Sequence, residues 1–269
     1  MAFATINSNL SYWQKQESPL YPDLSWNIPE QRKRNVTVIG GNSQNFSTPI
    51  RITEFLENEF PFNTVKLLLP DALRGKIPVL NSIELLPSTA SGSFAASERL
   101  QIFTEKADAT LVIGDLSKNS STAVAIAKAI RPHEDPKPLI LARDSVDLLA
   151  PDAGDWLTRQ NTIIIASMAQ LQKIFRAIYY PRMIMLSQPL IPVLETLHKF
   201  TLSYPITIVT FHQENIIVAN SGNITTTHIA DTNYSPISLW SGQLASKILG
   251  MNLFNPNKQL AASTAALLY

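Results

Sequence analysis

Val36 to Glu59, VTVIGGNSQNFSTPIRITEFLENE, decides how the rest of the chain is read. Val36 to Ile39 is a short run rich in β-branched residues that stops at Gly40-Gly41. Asn42, Ser43 and Gln44 then lead into a helical pattern over Pro49 to Glu59. A strand, a tight turn and a helix make the opening unit of a doubly wound sheet. The turn does not carry G-x-G-x-x-G, so no dinucleotide fingerprint is assigned to it.

Working outward, the same alternation recurs. Thr64 to Leu69, Ala109 to Ile113, Pro138 to Leu141 and Thr162 to Ala166 are continuous apolar runs suited to strands buried on both faces. Ile83, Leu85 and Leu86 suggest a further short strand. Helical patterns cover Phe94 to Lys106, a segment capped by Ser120, Ser121 or Thr122 with stripe Ala123, Ile126, Ala127 and Ile130, then Ser145 to Ala150 and Met168 to Tyr179. Another is marked by Leu190, Val193, Leu194 and Leu197. Pro205 to Thr210 and Asn215 to Ala219 are joined by a connection too short for a crossover helix, which makes them antiparallel.

Asp231 to Gly250, DTNYSPISLWSGQLASKILG, reads as a loop running into a helix with Leu244, Ala245, Ile248 and Leu249 as its stripe and Ser238 or Ser241 as its cap. Asn257 to Leu268 supplies a last helix. The pattern predicts an α/β three-layer sandwich with a mostly parallel central sheet and antiparallel strands late in the chain. It also predicts one domain over 35–269 and an irregular arm over 1–34. In that arm Tyr12, Trp13, Tyr21 and Trp26 either pack back on the domain or face another subunit of a homo-oligomer. Arg32, Lys33 and Arg34 read as a solvated strand entry.

Composition bounds the partners. Hydrophobic residues at 45%, charged residues at 16% and a net charge of +1 give no electrostatic reason to expect nucleic acid or an anionic membrane. No apolar run approaches the roughly 18 residues of a bilayer span. The first residues lack the layout of a secretory signal, so the expected compartment is cytoplasmic. Without cysteine there is no disulfide, thiolate metal site or cysteine nucleophile. Nine glycines in 269 residues is roughly 3%, about half the usual share, which leaves few loops able to wrap a phosphate.

Ligands in such sheets gather at the carboxyl ends of the strands. The candidate regions are therefore Gly40 to Gln44, Gly114 to Lys118, Ala142 to Asp144, Ala166 to Gln170, His212 to Glu214 and Tyr234 to Gly242. The N-terminus of the helix after Gly242 is suited to hold a phosphate. His228 and Asp231 share a Thr-rich loop without zinc-site spacing, and no metal is assigned there. Ser241-Gly242 is not a hydrolase elbow, because Leu239 stands where that motif has glycine.

Taken in order, these segments resemble the ribokinase-like superfamily, and within it the nucleotide-dependent NAD(P)HX dehydratases. VIGGNSQNFSTP from Val38 is similar to the family's opening strand and turn. IGDLSKNSST from Ile113 stands where the family has a glycine-rich loop. LARDSVDLL from Leu141 aligns Asp144 with the second aspartate of a Leu-Asp-Ala-Asp motif, with Ala142 at the first. ASMAQL from Ala166 puts Met168 at the family's histidine, and His212-Gln213 falls on its Lys-Gly nucleotide loop. The family's catalytic aspartate falls on Gly242, or in a shifted register on Trp240.

The resemblance implies nucleotide binding at His212, Gln213, Trp240, Ser241 and Gly242, and substrate contacts at Asn42, Gly114, Asp144 and Met168. ATP or ADP, with Mg, is the implied cofactor, and an NAD(P)H derivative the implied small-molecule partner. The chain ends at Tyr269 where family members carry a further helix, which reads as a truncated or rebuilt terminus. Three readings stay open: a dehydratase-like binding or interaction module without the reaction, an active dehydratase using Asp144, Asp231 or His212 as a displaced acid/base, and a scaffold without ligand.

Overall fold

The order in which strands are added to the sheet reverses at a single switch point, between β2 and β5. The computed structural model describes residues 10–16, 24, 34–131 and 136–267. Its strands are β1 (Trp13–Gln16), β2 (Asn35–Gly40), β3 (Thr64–Pro70), β4 (Ile83–Leu86), β5 (Ala109–Gly114), β6 (Leu139–Ala142), β7 (Thr162–Ile165), β8 (Ile206–His212), β9 (Asn215–Asn220) and β10 (Asn223–His228). They form one sheet in the order β1-β10-β9-β8-β7-β6-β5-β2-β3-β4. The chain winds outward from β2 to β4, returns to β5 on the other flank of β2, and winds outward again. All pairings from β4 across to β8 are parallel. β8, β9 and β10 are antiparallel neighbours.

The helices are α1 (Ser47–Glu59), α2 (Glu98–Lys106), α3 (Ser120–Ala129), α4 (Asp144–Leu149), α5 (Ala153–Trp156), α6 (Met168–Ala177), α7 (Leu190–Ser203), α8 (Gln243–Phe254) and α9 (Gln259–Ala265). Because side chains alternate along a strand, Val36, Val38, Leu111 and Ile113 pack on α1, α8 and α9, while Ile39, Val112, Leu141 and Ile164 pack on α2 to α7. Both faces are covered, and this is why the central strands read as unbroken apolar runs. No helix among the described residues is long and apolar enough to cross a membrane.

Several elements differ from the sequence reading. Trp13–Gln16, within the segment expected to be irregular, is a parallel edge strand on β10, with Trp13 Nε1 donating to Thr226 Oγ1 at 2.9 Å. Tyr12 stacks on His198 with ring centroids 3.9 Å apart, so these two aromatics pack back on their own chain. Tyr21, Trp26, Arg32 and Lys33 lie outside the described residues. Arg34 is exposed and 3.4 Å from Asp108 Oδ1, a solvated strand entry. The Thr-rich segment read as a loop is β10, where Thr225 Oγ1 meets Thr264 Oγ1 at 2.6 Å.

α2 starts at Glu98 rather than Phe94, because Phe94 bridges Ser88 and the Ala95 N–H donates to Pro87 in extended backbone. α3 is capped by Asn119, whose side chain accepts from the Ser121 N–H at 2.8 Å, and it buries Thr122, Ala125, Ile126 and Ala129. The N-cap of α8 is Gly242; Ser241, just before it, accepts from the Gln243 N–H at 3.4 Å, while Ser238 bonds within its own turn.

α8 crosses α1 at Gly250, where an added Cβ would lie 2.2 Å from Phe60 Cε1. The Phe60 ring is itself buried against the sheet. Gly250→Ala is expected to destabilise the fold by about 1–3 kcal/mol through overpacking. Urea denaturation checks this, and the midpoint should fall while the slope stays constant.

Candidate functional site

At the switch point the ends of β2 and β5 meet without side chains between them. A Cβ on Gly40 would lie 2.7 Å from the Gly114 carbonyl oxygen and 2.8 Å from Pro49 Cγ. The Gly41 N–H donates to that same carbonyl at 2.9 Å. These glycines let two strand ends and α1 close on one another. Asn42 fixes the next step: its Oδ1 accepts from the Gln44 and Asn45 N–H groups, and its Nδ2 donates to the Asp115 carbonyl at 2.6 Å.

The rim is built from left-handed backbone. Gly114, Asp115 and Arg143 have φ of 92°, 54° and 60°. Non-glycine residues rarely adopt such values, and they cluster where surrounding contacts over-determine them. Here the contacts are explicit. Asp144 Oδ1 accepts from the Asp115 N–H at 2.6 Å, and a Cβ on Gly114 would lie 1.9 Å from that oxygen. Arg143 pairs with Asp115 Oδ1 at 2.6 Å and reaches the Trp240 carbonyl at 3.4 Å. Its Nε is buried with no partner. Gln170 donates at 2.7 Å to the Arg143 carbonyl and to Asp147 Oδ2, and Lys173 pairs with Asp147. Beneath the turn, buried Ser145 Oγ accepts from the Ala142 N–H at 3.1 Å and lies 3.0 Å from the Val112 carbonyl, locking β5, β6 and α4 together.

Asp144 lines a cleft of about 630 Å³ that also takes in Leu116, Lys118, Asn119, Asp147 and Lys173. Burial pushes its carboxyl above the usual aspartate range and the Asp115 carboxylate adds to this; the Asp115 N–H and the Arg143 guanidinium pull the other way without cancelling it.

The start of α8 lies across the rim from these groups. Gly242 is buried at φ 97°, and a Cβ there would lie 2.8 Å from Ile113 Cδ1 and 3.4 Å from Ile52 Cδ1. Position 242 therefore faces the apolar layer under the sheet end. Trp240 closes a short 3-10 turn and is half-buried against the same layer. Ser241 Oγ donates to the Ser238 carbonyl at 2.7 Å, and the first α8 ladder bond runs from the Ser246 N–H to the Gly242 carbonyl at 3.1 Å.

The structure thus brings Asn42, Gly114, Asp144, Trp240 and Gly242 to one rim. His212 and Gln213 end β8, two strands from β6, or roughly 10 Å at ordinary strand spacing. His212 is buried with Nε2 2.8 Å from the Gln188 carbonyl, and Gln213 donates to the same carbonyl at 3.1 Å. Met168 is 2% exposed and packs in the core under α6. Asp231 is exposed at the end of a 3-10 turn, and Tyr234 is buried with its hydroxyl directed at the Ala266 carbonyl. The Arg143–Asp115 pair was not singled out by sequence; its only signal was two charged residues directly after apolar strands.

The residues of the rim suit the groups that the resemblance implies to different degrees. A phosphate suits the first turn of α8, where helix N–H groups precede the ladder. Mg wants free carboxylate oxygens, and the two carboxylates at the rim are already engaged: Asp115 pairs with Arg143, and Asp144 Oδ1 accepts from the Asp115 N–H. Among the described residues no group of three or more His, Asp or Glu side chains converges as metal ligands.

No family model and no curated protein matches the sequence. Solved structures do. A ribokinase-like superfamily protein from Enterococcus faecalis superposes with a TM-score of 0.69 at 15% identity, covering 97% of this chain and 87% of that one. A hypothetical protein from Streptococcus mutans gives 0.62 at 16% identity, covering 90% and 82%. The ADP/ATP-dependent NAD(P)H-hydrate dehydratase of Bacillus subtilis, co-crystallised with ATP and Mg2+, gives 0.52 at 14% identity, covering 86% and 78%. At such identities the likeness establishes the fold, which is ribokinase-like.

Two outcomes follow from the rim. Gly242→Asp should destabilise the protein by roughly 2–4 kcal/mol, because it adds backbone strain and a clash with Ile113. A double-mutant cycle with Ile113→Val, which removes the Cδ1 atom, should show favourable coupling. For Asp144 the elevated pKa means that its protonated form favours folding. That contribution is complete below the unfolded value of about 3.9 and is lost as pH rises through the folded one. Asp144→Asn keeps an oxygen acceptor for the Asp115 N–H and drops the charge. It should flatten this part of the pH–stability profile and be more stable than wild type at pH about 7, as read by urea unfolding from acid to neutral pH; lower stability would mean that the Arg143 attraction outweighs burial.

Proposed function

We propose that the chain is an NAD(P)HX dehydratase-like protein that has lost the dehydration reaction and acts as a binding module for a nucleotide or an NAD(P)H derivative. The carrying observation is at Gly242, the position that the resemblance gives to the catalytic aspartate: it has no side chain, and Ile113 Cδ1 lies 2.8 Å from where a Cβ would be. General acid/base catalysis by a positioned group is worth roughly 10² to 10⁴ in rate, and the alternative register offers Trp240, which carries no proton suited to the task.

Binding chemistry survives where catalysis does not. The first turn of α8 would receive a phosphate, the Trp240 ring offers a stacking face, and Arg143 places a cation between Asp115 and the α8 loop. Asn42 and the Asp115 turn would border the substrate side. Nucleotide, ATP or ADP, is the cofactor this reading needs.

A second reading, an active dehydratase with a displaced acid/base, is favoured by one observation: Asp144 is a carboxyl with elevated pKa at the mouth of a cleft. It differs from the first in turnover alone.

ATP, ADP or NADPH at about 100 times its dissociation constant should stabilise the protein by about 2.7 kcal/mol, visible as a rise in melting temperature. Absence of a shift with all three removes both binding readings and leaves the scaffold role. Hydrated NADPH incubated with ATP and the protein should disappear no faster than without protein. Nucleotide-coupled turnover abolished in Asp144→Asn would replace the first reading by the second.

A further inference from the structure

We infer that the chain carries a second ligand site, on the outer flank of α6, for a small amphipathic anion: an apolar body with a single carboxylate, sulfonate or phosphate head. α6 begins at the carboxyl end of β7 and runs back along the sheet, so its last turn lies at the opposite end of the molecule from Asp144 and Gly242. There a cavity of about 590 Å³ opens between α6 and the segment that follows it. That volume is typical of small-molecule sites, as is a lining that is mostly apolar with a few polar groups.

The inner wall is aromatic. Phe175 and Tyr180 line the cavity and pack on buried Phe200 behind them, with centroids 4.5–5.0 Å apart among the three. The outer wall is a strap pinned at its middle: Ile184 is fully buried, and its carbonyl accepts from Gln172 Nε2 at 2.6 Å. On either side of that anchor Met183 and Met185 stand 68% and 46% exposed. Flexible thioethers flanking a fixed point make an adaptable apolar surface.

The third feature is a left-handed helix cap whose central residue carries a large side chain. α6 ends in a Schellman motif: the Tyr180 N–H donates to the Phe175 carbonyl at 2.8 Å and the Tyr179 N–H to the Arg176 carbonyl at 3.2 Å. The left-handed position of that motif is usually glycine. Here it is Tyr179, at φ 53°, with its side chain 92% exposed at the cavity edge. A tyrosine that packs on nothing and strains its own backbone suggests a contact made with something else.

Charge decides the ligand class. Two arginines border the cavity. Arg182 is paired with Glu195, whereas the Arg176 guanidinium has no partner among the described residues. One unneutralised cation beside an apolar, aromatic-edged cavity complements one negative charge on an apolar body. This site is independent of the rim reading.

The test uses the full chain and anilinonaphthalene sulfonate, an apolar aromatic anion, followed by fluorescence. One saturable site is expected. Arg176→Gln should weaken binding about two- to fivefold, as for an exposed ion pair, and Met183→Glu should abolish it. N-phenyl-1-naphthylamine, the same rings without the sulfonate, should bind more weakly and ignore Arg176→Gln. Tyr179→Gly should raise the melting temperature while weakening the probe, which separates a binding role from a folding role. Equal affinity of Arg176→Gln and wild type overturns the anion site. Self-association in sedimentation velocity that disappears in Met183→Glu overturns it in favour of an interface between copies. Nucleotide stabilisation at the rim should be unchanged in Met183→Glu, so failure there and failure here are distinguishable.

Discussion

The Asp144 carboxylate accepting the Asp115 N–H is the contact on which the rim depends. It requires Gly114, since any Cβ at that position would overlap the accepting oxygen. It also forces the chain after β6 into the left-handed turn that places Arg143 between Asp115 and the Trp240 carbonyl. Three segments far apart in sequence, the ends of β5 and β6 and the approach to α8, are thereby tied to one another. Buried Ser145 repeats the tie one layer down. A polar network of this kind is favourable only when its members are satisfied, and the unpartnered Arg143 Nε marks where it is incomplete.

The α8 side of the rim answers to a different constraint. Gly242 lets the helix start directly against Ile113 and Ile52, so α8 settles on the apolar layer without a side chain intervening. Ionisable groups are thus confined to the β5–β6 side, where Asp115 and Arg143 largely cancel. What remains near the helix start is backbone N–H, a tryptophan ring and a cation held by its own salt bridge.

Much of the fold was legible because the strands buried on both faces announce themselves. Ala109 to Ile113 and Thr162 to Ile165 need no alternation to be recognised, only flanking turns. β10 was not legible: its Asn-Ile-Thr-Thr-Thr-His sequence looks like a loop, and its threonines are buried by pairing with Trp13, Thr264 and the sheet rather than by being apolar. β1 was hidden for a related reason, since a four-residue edge strand with two exposed residues shows no period. The α8 cap was misread because serines are the usual caps, whereas glycine was selected here by close approach to Ile113. At the site, strand ends were readable from topology. The Arg143–Asp115 pair was not, because it depends on two turns adopting the same unusual backbone hand.

The two glycines at the rim have opposite consequences. Gly114 makes room for a carboxylate oxygen: replace its hydrogen by a methyl group and Asp144 Oδ1 must move away. Gly242 makes room for apolar packing: Ile113 Cδ1 lies 2.8 Å from where its Cβ would be. A side chain at 242 would start against that atom, the free end of the Ile113 side chain, and at ordinary contact distance from Ile52. A carboxylate there would therefore need Ile113 to turn aside and a residue with a Cβ to hold a left-handed backbone.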